Sequence, residues 1–335
     1  MAETYEYGEP GQEAGYRRLR HKIMSYIIAQ AIFAVTEAGV IEALGAGPAD
    51  VDELARRVGV DGDALARFLR VLVAEGLFTE DPHGTFALTE MSSHLRQDRP
   101  GSLRHLVMLM AGEAYGAWGR AAHSLRTGAP AFDEVFGRPM FDWLSQHPEK
   151  QAVFDRAQAG LVTMRMAPLE QWDWSGVRTV VDIGGGNGGL LRTLLARHPY
   201  LRGVLFDLPN VINEADLGDR CRLVGGDFFS EIPPGGDVYV LAQILHDWSD
   251  DDAMRILRRI ATAMPAHGRL LVLEQVIPDD DLRHPEKLLD LHMLVLLGGR
   301  ERTLADWHEL LAAGGFELLR TERATRSSLL VAARG

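Results

Sequence analysis

Apolar residues in the N-terminal part of the chain recur with the spacing of amphipathic helices. Residues 25–44 form one such run, and a second helix is predicted from Asp50, which has the spacing of a capping box to Glu53. A third helix is predicted over residues 61–78. Its apolar face is predicted to consist of Leu65, Phe68, Leu69 and Leu72.

A short hairpin is predicted next, over residues 78–89, with its turn at residues 82–84. Three helices and a hairpin are typical of a winged helix, which we therefore predict for residues 12–100. Residues 1–100 carry 10 Lys and Arg against 16 Asp and Glu, a net charge of −6. Such a surface repels phosphates, so we expect a scaffold or dimerisation domain rather than a DNA-binding one.

From Val177 onward, short apolar strands alternate with amphipathic helices, which indicates a parallel α/β sheet. The last two strands are separated by a short polar turn and should be antiparallel. The predicted strands are residues 179–183, 202–207, 221–227, 237–243, 269–277, 316–324 and 328–334. The predicted fold class is α/β: a Rossmann-like doubly wound sheet, mostly parallel with one antiparallel strand at the end, over residues 171–335.

Helices rich in aromatic residues and methionine are predicted between these regions, over residues 101–170. Residues such as Met108 and Phe132 are more often core than ligand-facing. Here, however, the segment joins two predicted domains, and small-molecule pockets favour such junctions. We therefore expect connecting helices that contribute to a substrate pocket for a flat, apolar molecule.

Composition and charge narrow the classes of function. The 335 residues carry a net charge of −12, which argues against a nucleic-acid partner. Cys221 is the single cysteine, so an intramolecular disulfide is impossible and a cysteine-based zinc site is not expected. No run of 18 apolar residues occurs, and the acidic N-terminus does not resemble a signal peptide. We expect a cytoplasmic protein without membrane partners.

A glycine-rich segment, VVDIGGGNGGLL at residues 180–191, follows the first strand of the sheet. Gly184, Gly186 and Gly189 match the G-x-G-x-x-G pattern of dinucleotide-binding loops. The pattern alone does not identify the ligand, because glycines allow a sharp turn and close approach for more than one cofactor.

Acidic residues at the strand ends favour S-adenosylmethionine (SAM) over NAD. Asp182 directly precedes the glycines, where a carboxylate suits an ammonium group better than a pyrophosphate. Asp207 ends the second strand and is predicted to bind ribose hydroxyls, which both cofactors carry. Asp227 and Phe228, after the third strand, are predicted to contact the adenine. The sheet also runs almost to the C-terminus, which leaves no catalytic domain for a dehydrogenase.

His246 is placed by the pattern on the turn between the fourth strand and a helix, at the ligand-binding edge of the sheet. A neutral imidazole there can accept the proton of a substrate hydroxyl that attacks a methyl group. Glu274 ends the fifth strand, and Glu301 lies on a glycine-flanked loop. A carboxylate on the far imidazole nitrogen would fix the tautomer and stabilise the imidazolium.

These segments resemble a known enzyme family along essentially the whole chain. VVDIGGGNGG, FDLPNVI, GDFFSEIP, LAQILHDWSDDDA, LLVLEQVIP and GGRERTLADWHELLAAGGFE resemble the SAM-dependent O-methyltransferases of the plant caffeate methyltransferase type, and their bacterial secondary-metabolite branch in particular. The resemblance implies a homodimer formed through the N-terminal domain. It also implies His246 as the base flanked by Glu274 and Glu301, and no metal.

The resemblance and the strand-end argument together assign two sets of residues. The predicted cofactor-binding residues are Asp182, Gly184, Gly186, Asp207, Leu208, Asp227, Phe228 and Ala242. The residues predicted to contact the acceptor are Met108, Phe132, Met164, Asp247 and Met293. The chain departs from the plant enzymes at Ala242, where they have a lysine that contacts the cofactor.

The predicted function is methylation of a hydroxyl on an aromatic small molecule in natural-product biosynthesis, with His246 as the general base and S-adenosylhomocysteine as the second product. An N- or C-methyltransferase, or a relative that binds SAM without transferring methyl, remains open within the same fold. More distant alternatives are an NAD-dependent oxidoreductase and a winged-helix regulator that senses a ligand.

Overall fold

A computed structural model of the chain describes residues 12–212, 215–324 and 327–335, without the side chains of 12, 13 and 159–165. The described residues divide into two compact units, one up to Glu113 and the other from Ala114 onward. No helix in the described ranges is long and apolar enough to cross a membrane.

The first unit contains the predicted helices and hairpin. Its elements are α1 (Gln12–Glu37), α2 (Val40–Gly45), β1 (Ala49–Asp50), α3 (Val51–Val58), α4 (Gly62–Ala74), β2 (Phe78–Glu80), β3 (Thr85–Leu88), α5 (Glu90–Ser93) and α6 (Arg104–Ala111). The strands form an antiparallel sheet in the order β1-β3-β2. The hairpin turns where predicted, with Gly84 at φ 77°.

Two local predictions in this unit need correction. Phe68 does not share the buried face of α4: it is 40% exposed, whereas Leu65, Leu69 and Leu72 are buried. Asp50 caps α3 by accepting a hydrogen bond from the Glu53 amide at 2.8 Å, but this cap is one-sided in the structure rather than a reciprocal capping box.

The second unit alternates helices and strands. Its helices are α7 (Glu113–Trp118, beginning on the last residue of the first unit), α8 (Ala121–Thr127), α9 (Ala131–Phe136), α10 (Met140–Ser145), α11 (Pro148–Arg165), α12 (Ala167–Gln171), α13 (Gly189–Arg197), α14 (Pro209–Ile212), α15 (Asp250–Ala263), α16 (Pro285–Leu296) and α17 (Leu304–Ala313). Its strands are β4 (Thr179–Ile183), β5 (Arg202–Asp207), β6 (Cys221–Gly225), β7 (Val238–Ala242), β8 (Arg269–Glu274), β9 (Val276–Ile277), β10 (Arg302–Thr303), β11 (Phe316–Arg323) and β12 (Ser328–Arg334).

Seven strands form the central sheet, in the order β11-β12-β8-β7-β4-β5-β6. Neighbours from β8 to β6 are parallel, and β12 is antiparallel to both β8 and β11. The sheet is therefore doubly wound and mostly parallel with one antiparallel strand, as the sequence predicts. The separate β9 and β10 form a short parallel pair.

Both faces of the inner strands of the sheet are buried, because side chains that alternate along these strands enter different cores. Val181 and Ile183 pack in one cluster with α15 and α17, whereas Val180 packs in another with α13. The apolar strands thereby fix which loops meet at the carboxyl edge of the sheet.

Candidate active site

The carboxyl edge between β4 and β7 is the switch point of the sheet, where successive strands diverge to opposite sides. Open α/β sheets bind ligands at such points. Ile183 pairs with Leu241, so the loops that follow β4 and β7 leave the sheet side by side. Their contact is close: a Cβ on Gly184 would lie 2.6 Å from Cδ1 of Ile244.

The glycine loop after β4 is held by the end of β5. Gly184 (φ 68°) donates its amide hydrogen to the Phe206 carbonyl at 2.8 Å. Asp207 accepts from the Gly186 amide at 2.8 Å and from the Leu208 amide at 2.6 Å. The carboxylate that the sequence assigns to a ribose therefore also fixes the turn of the loop.

Asp182 lies beneath this loop and is 1% exposed. Its Oδ2 has no hydrogen-bond partner among the described residues. Burial, with a smaller contribution from the charge of Asp207, raises the pKa of Asp182 to about 7. A Cβ on Gly185 would lie 2.5 Å from Oδ2, so only glycine fits above this carboxyl. A buried carboxyl without a partner suits a cationic ligand group.

The other predicted cofactor residues lie along the same edge. Asp227 follows β6 and accepts from the Phe229 amide at 2.9 Å. Phe228 is partly buried and packs edge-on against Trp248, at 5.6 Å between ring centroids. Leu208 is 44% exposed, and Ala242 ends β7. Their roles in binding stay predictions.

His246 lies on a 3₁₀ turn, Leu245–Asp247, between β7 and α15. Glu274, at the end of β8, organises this turn: its Oε1 accepts from the amides of Ile244 and Leu245 at 3.1 and 2.9 Å. Gln243 enters the turn at φ 58°, a left-handed conformation that is rare for residues other than glycine.

Carboxylates approach both imidazole nitrogens of His246. Nδ1 lies 2.7 Å from Oε1 of Glu301 and 3.5 Å from Oε2 of Glu274. Nε2 lies 3.2 Å from Oδ1 of Asp247. His246, Glu274 and Glu301 are all buried. The structure thus brings together the three residues that the sequence proposes as the catalytic set.

The charges around His246 act on the pKa of its imidazole. Burial disfavours its charge, but Glu274, Asp247 and Glu301 outweigh burial and hold the pKa of His246 well above 6.5. Burial also raises the pKa of Glu274 to about 7, against the opposing effect of His246. The three carboxylates around His246 therefore favour the protonated imidazole.

His246, Glu274 and Glu301 each offer one atom that could bind a metal ion, and these three atoms lie within 4.8 Å of one another. The lone pairs of Glu274 are already used by backbone amides and by Nε2 of Gln243, at 3.2 Å. The cluster is organised around the histidine proton.

The predicted acceptor contacts are dispersed along the chain. Asp247 faces His246, and Met293 on α16 is buried. Phe132 is 1% exposed and packs on Phe136, with ring centroids 4.3 Å apart. Met108 lies on α6 of the first unit, and Met164 falls within 159–165, whose side chains are outside the described set. Contact with an acceptor stays a prediction for all five.

Sequence reasoning missed Arg302 and Asp290, which both act on the loop that carries Glu301. Asp290 accepts from the Glu301 amide at 2.9 Å, and the buried Arg302 reaches the turn of His246. Neither residue ends a strand of the central sheet, and the strand-end pattern that predicts the acidic site residues therefore does not include them. A buried arginine beside a predicted catalytic acid is a signal that packing reveals and spacing does not.

Comparison with known protein families matches both units. The O-methyltransferase domain matches residues 118–317, and the O-methyltransferase dimerisation domain matches residues 21–98. A phenazine O-methyltransferase from Lysobacter antibioticus is 40% identical over 94% of this chain and 95% of its own length. An 8-amino-8-demethylriboflavin N,N-dimethyltransferase from Streptomyces davaonensis is 35% identical over 93% of each chain.

Solved structures match more than nine-tenths of this chain. A mitomycin 7-O-methyltransferase is 35% identical and superposes with a TM-score of 0.91, covering 97% of this chain and 99% of the other. An O-methyltransferase from neocarzinostatin biosynthesis, solved with S-adenosylmethionine and 2-hydroxy-5-methyl naphthoic acid, is 34% identical. Its TM-score is 0.82, with 92% of this chain and 96% of that chain covered.

Proposed function

Because the chain belongs to the O-methyltransferase family, we propose that it methylates a hydroxyl of an aromatic small molecule with His246 as the general base. The family is SAM-dependent, which decides against the NAD-dependent oxidoreductase and the ligand-sensing regulator. The observation that carries the proposal is the 2.7 Å contact between Nδ1 of His246 and Glu301, at the switch point of the sheet.

The residues at the glycine loop fit the cofactor. SAM supplies a methyl group on a sulfonium that is already activated for transfer. Oδ2 of Asp182, which has no hydrogen-bond partner within the described ranges, would accept from the ammonium of its methionine end. Asp207 binds the ribose hydroxyls, and Asp227 with Phe228 contacts the adenine. Leu208, Gly184, Gly186 and Ala242 line the same edge.

His246 accepts the proton of the acceptor hydroxyl at its Nε2. Glu301 holds Nδ1–H at 2.7 Å, which orients the ring and stabilises the imidazolium that forms when the acceptor hydroxyl loses its proton. Nε2 lies 3.2 Å from Oδ1 of Asp247. An acceptor hydroxyl that binds at Nε2 must therefore replace this contact. Only an imidazole whose Nε2 carries no proton can accept the proton of the hydroxyl. Positioning of the reactants supplies much of the remaining acceleration.

The acceptor is an aromatic molecule from natural-product biosynthesis. Relatives act on phenazine and mitomycin skeletons, and one is solved with a naphthoic acid. In this chain, aromatic rings cluster in α9 and α10: Phe132, Phe136 and Trp143 pack with centroids 4.3 to 5.9 Å apart. Met293, Met108, Met164 and Asp247 complete the proposed acceptor contacts.

The protein acts as a homodimer through its first unit, which matches the family's dimerisation domain. In α1, Tyr16, Leu19, Ile23 and Ile27 are exposed by 40 to 68% and follow helical spacing. An apolar stripe of this length on a helix indicates a protein interface.

Transfer of labelled methyl from SAM to matched phenols and aryl amines tests the proposal. His246→Ala should lower kcat by roughly 10²- to 10⁴-fold and leave the Kd for SAM nearly unchanged. His267→Ala, which removes an exposed histidine paired with Asp237, is the matched control and should keep full activity. Equal loss of SAM binding and turnover in His246→Ala would assign His246 a structural role instead.

An N-methyltransferase is the second candidate, because the relative from Streptomyces davaonensis is an N,N-dimethyltransferase at 35% identity. The same assay separates the two. Transfer to the aryl amine but not to the phenol of the same skeleton would favour nitrogen as the acceptor atom.

A further inference from the structure

We infer that Arg302 is a positioning residue for the proposed O-methylation, because it clamps the turn of His246 to the loop of Glu301. The inference rests on the proposed role of His246. Arg302 is 0% exposed, although arginine is rarely buried unless it is paired. Its guanidinium reaches the catalytic turn by several hydrogen bonds, and it touches neither the imidazole nor Glu301 by any contact described in the structure.

The carbonyls of the catalytic turn are the targets of this clamp. Nη1 of Arg302 donates to the Leu245 carbonyl at 2.8 Å, and Nη2 donates to the Trp248 carbonyl at 3.1 Å. The amide of Arg300 donates to the carbonyl of His246 at 2.8 Å. Arg300 and Arg302, which flank Glu301 in the sequence, thus hold three carbonyls in this turn and directly after it.

An ion pair fixes the guanidinium in this orientation. Nε and Nη2 of Arg302 lie 3.0 and 2.9 Å from Oδ1 of Asp250, the first residue of α15. Arg300 pairs with the other oxygen of Asp250 at 2.8 Å. The guanidinium also lies over the ring of Trp307, at 5.3 Å. A planar fork with fixed donors is what this arrangement needs, and lysine lacks it.

The consequence is that the backbone sets the distance between Nδ1 of His246 and Glu301. Glu301 directly precedes Arg302 and has one oxygen, Oε2, without a partner among the described residues. Its single contact with the imidazole therefore depends on where the loop holds it. Loss of the clamp lets the turn and the loop separate, and a displacement of about 1 Å in such a site can cost roughly 10²-fold in rate.

The test compares Arg302→Met, Glu301→Gln and the double variant. We expect Arg302→Met to lower kcat at least roughly tenfold, with the Kd for SAM changed by less than about twofold. The acid limb of kcat/KM should move to lower pH, as in Glu301→Gln, because the imidazolium loses a fixed anion while Glu274 and Asp247 still face it. In the double variant, kcat should equal that of Glu301→Gln within about twofold, since both changes remove one contact.

Arg255→Met is the matched control. Arg255 pairs with Asp252 on the exposed surface of α15, the helix that begins with Asp250. Arg302→Lys should restore part of the kcat that Arg302→Met loses, because lysine keeps the charge without the planar fork.

Should Arg302→Met fail to fold, Asp250→Asn removes the exposed carboxylate that pairs with Arg302. This variant should shift the acid limb in the same direction. Additive losses in the double variant, or an unmoved acid limb in Arg302→Met or Asp250→Asn, would overturn the clamp alone. Full activity and an unchanged pH profile in Glu301→Gln would overturn the proposed role of Glu301, and the clamp with it, whereas His246→Ala tests the proposed base itself.

Discussion

His246 is surrounded by more negative charge than a resting base requires. Asp247 faces Nε2 at 3.2 Å, and Glu301 and Glu274 face Nδ1. This arrangement stabilises the imidazolium, which is the state that the base reaches after it has taken the proton. The same stabilisation disfavours the neutral imidazole that accepts the proton, so reactivity and pH dependence are coupled.

The pH dependence of kcat/KM follows from this charge. The form of His246 that accepts a proton is neutral, and the pKa of His246 lies well above 6.5. We therefore expect kcat/KM to rise with pH along an acid limb whose midpoint lies above 6.5. Asp247→Asn removes an anion at Nε2, lowers the pKa and should move this limb to lower pH. The apparent pKa belongs to the whole cluster, so rate profiles of both proteins are compared. An identical limb in the two proteins would contradict the assignment.

The affinity for the cofactor should also depend on pH, because of Asp182. Its pKa is about 7 in the free protein, and an ammonium beside Oδ2 favours the ionised form. The carboxyl is protonated below pH 7, so binding of SAM must then release a proton. We expect the Kd for SAM to rise by up to about tenfold per pH unit below 7 and to level off above it. Calorimetric titrations between pH 5.5 and 7.5, chosen to bracket the pKa of about 7, measure this.

Asp182→Asn is the control for that measurement. It should bind SAM more weakly and with little dependence on pH, since the titrating carboxyl is gone. A thermal melt of the variant checks that the buried amide is accommodated. A Kd of the unmodified protein that does not change with pH would show that Asp182 has no contact with the ammonium.

At the scale of elements, the positions of the strands and of their carboxyl ends could be predicted from the sequence. Which short strands and loops meet across the fold could not. The predicted residues 179–183 and 202–207 coincide with β4 and β5. The predicted strand over residues 269–277 is two elements, because β9 leaves the sheet to pair with β10. Periodicity along the chain finds an apolar run but carries no information about which strand or loop it meets. For the same reason, the left-handed Gln243 was not foreseen.

The loop after α16 shows how closely two elements must approach to assemble the site. A Cβ on Gly299 would lie 2.1 Å from the His246 carbonyl oxygen. Gly299→Ala must push the loop away from the catalytic turn, so kcat should fall by roughly tenfold or more while the Kd for SAM changes little. Steady-state kinetics and SAM titration measure the two effects.

Gly62→Ala serves as the control, because a Cβ there would meet its nearest neighbour at 3.6 Å, an ordinary contact. This variant should keep full activity. Unchanged kcat in Gly299→Ala would show that the turn tolerates displacement, and the distance between His246 and Glu301 would then not limit the rate.

At the scale of the whole molecule, charge was informative. A net charge of −12 and an acidic first unit directed the winged-helix pattern away from nucleic acid. The glycine pattern alone fits a dinucleotide equally well, and Asp182 directly before the glycines favoured SAM. Each inference combined an ambiguous motif with the charge around it.

The association of two chains is the prediction that belongs to this scale. Ile23 lies in the middle of the exposed apolar stripe of α1 and is 63% exposed in the single chain. Ile23→Glu would place a charge inside the proposed interface, where it would be buried without a partner. Light scattering should give twice the 37.0 kDa of one chain for the unmodified protein and a mass shifted towards one chain for the variant. Leu319→Glu, at a 48% exposed leucine of β11, should remain dimeric. A dimeric Ile23→Glu with unchanged thermal stability would mean that the stripe serves another contact, because an interface built on it cannot accept an unpaired carboxylate at its centre.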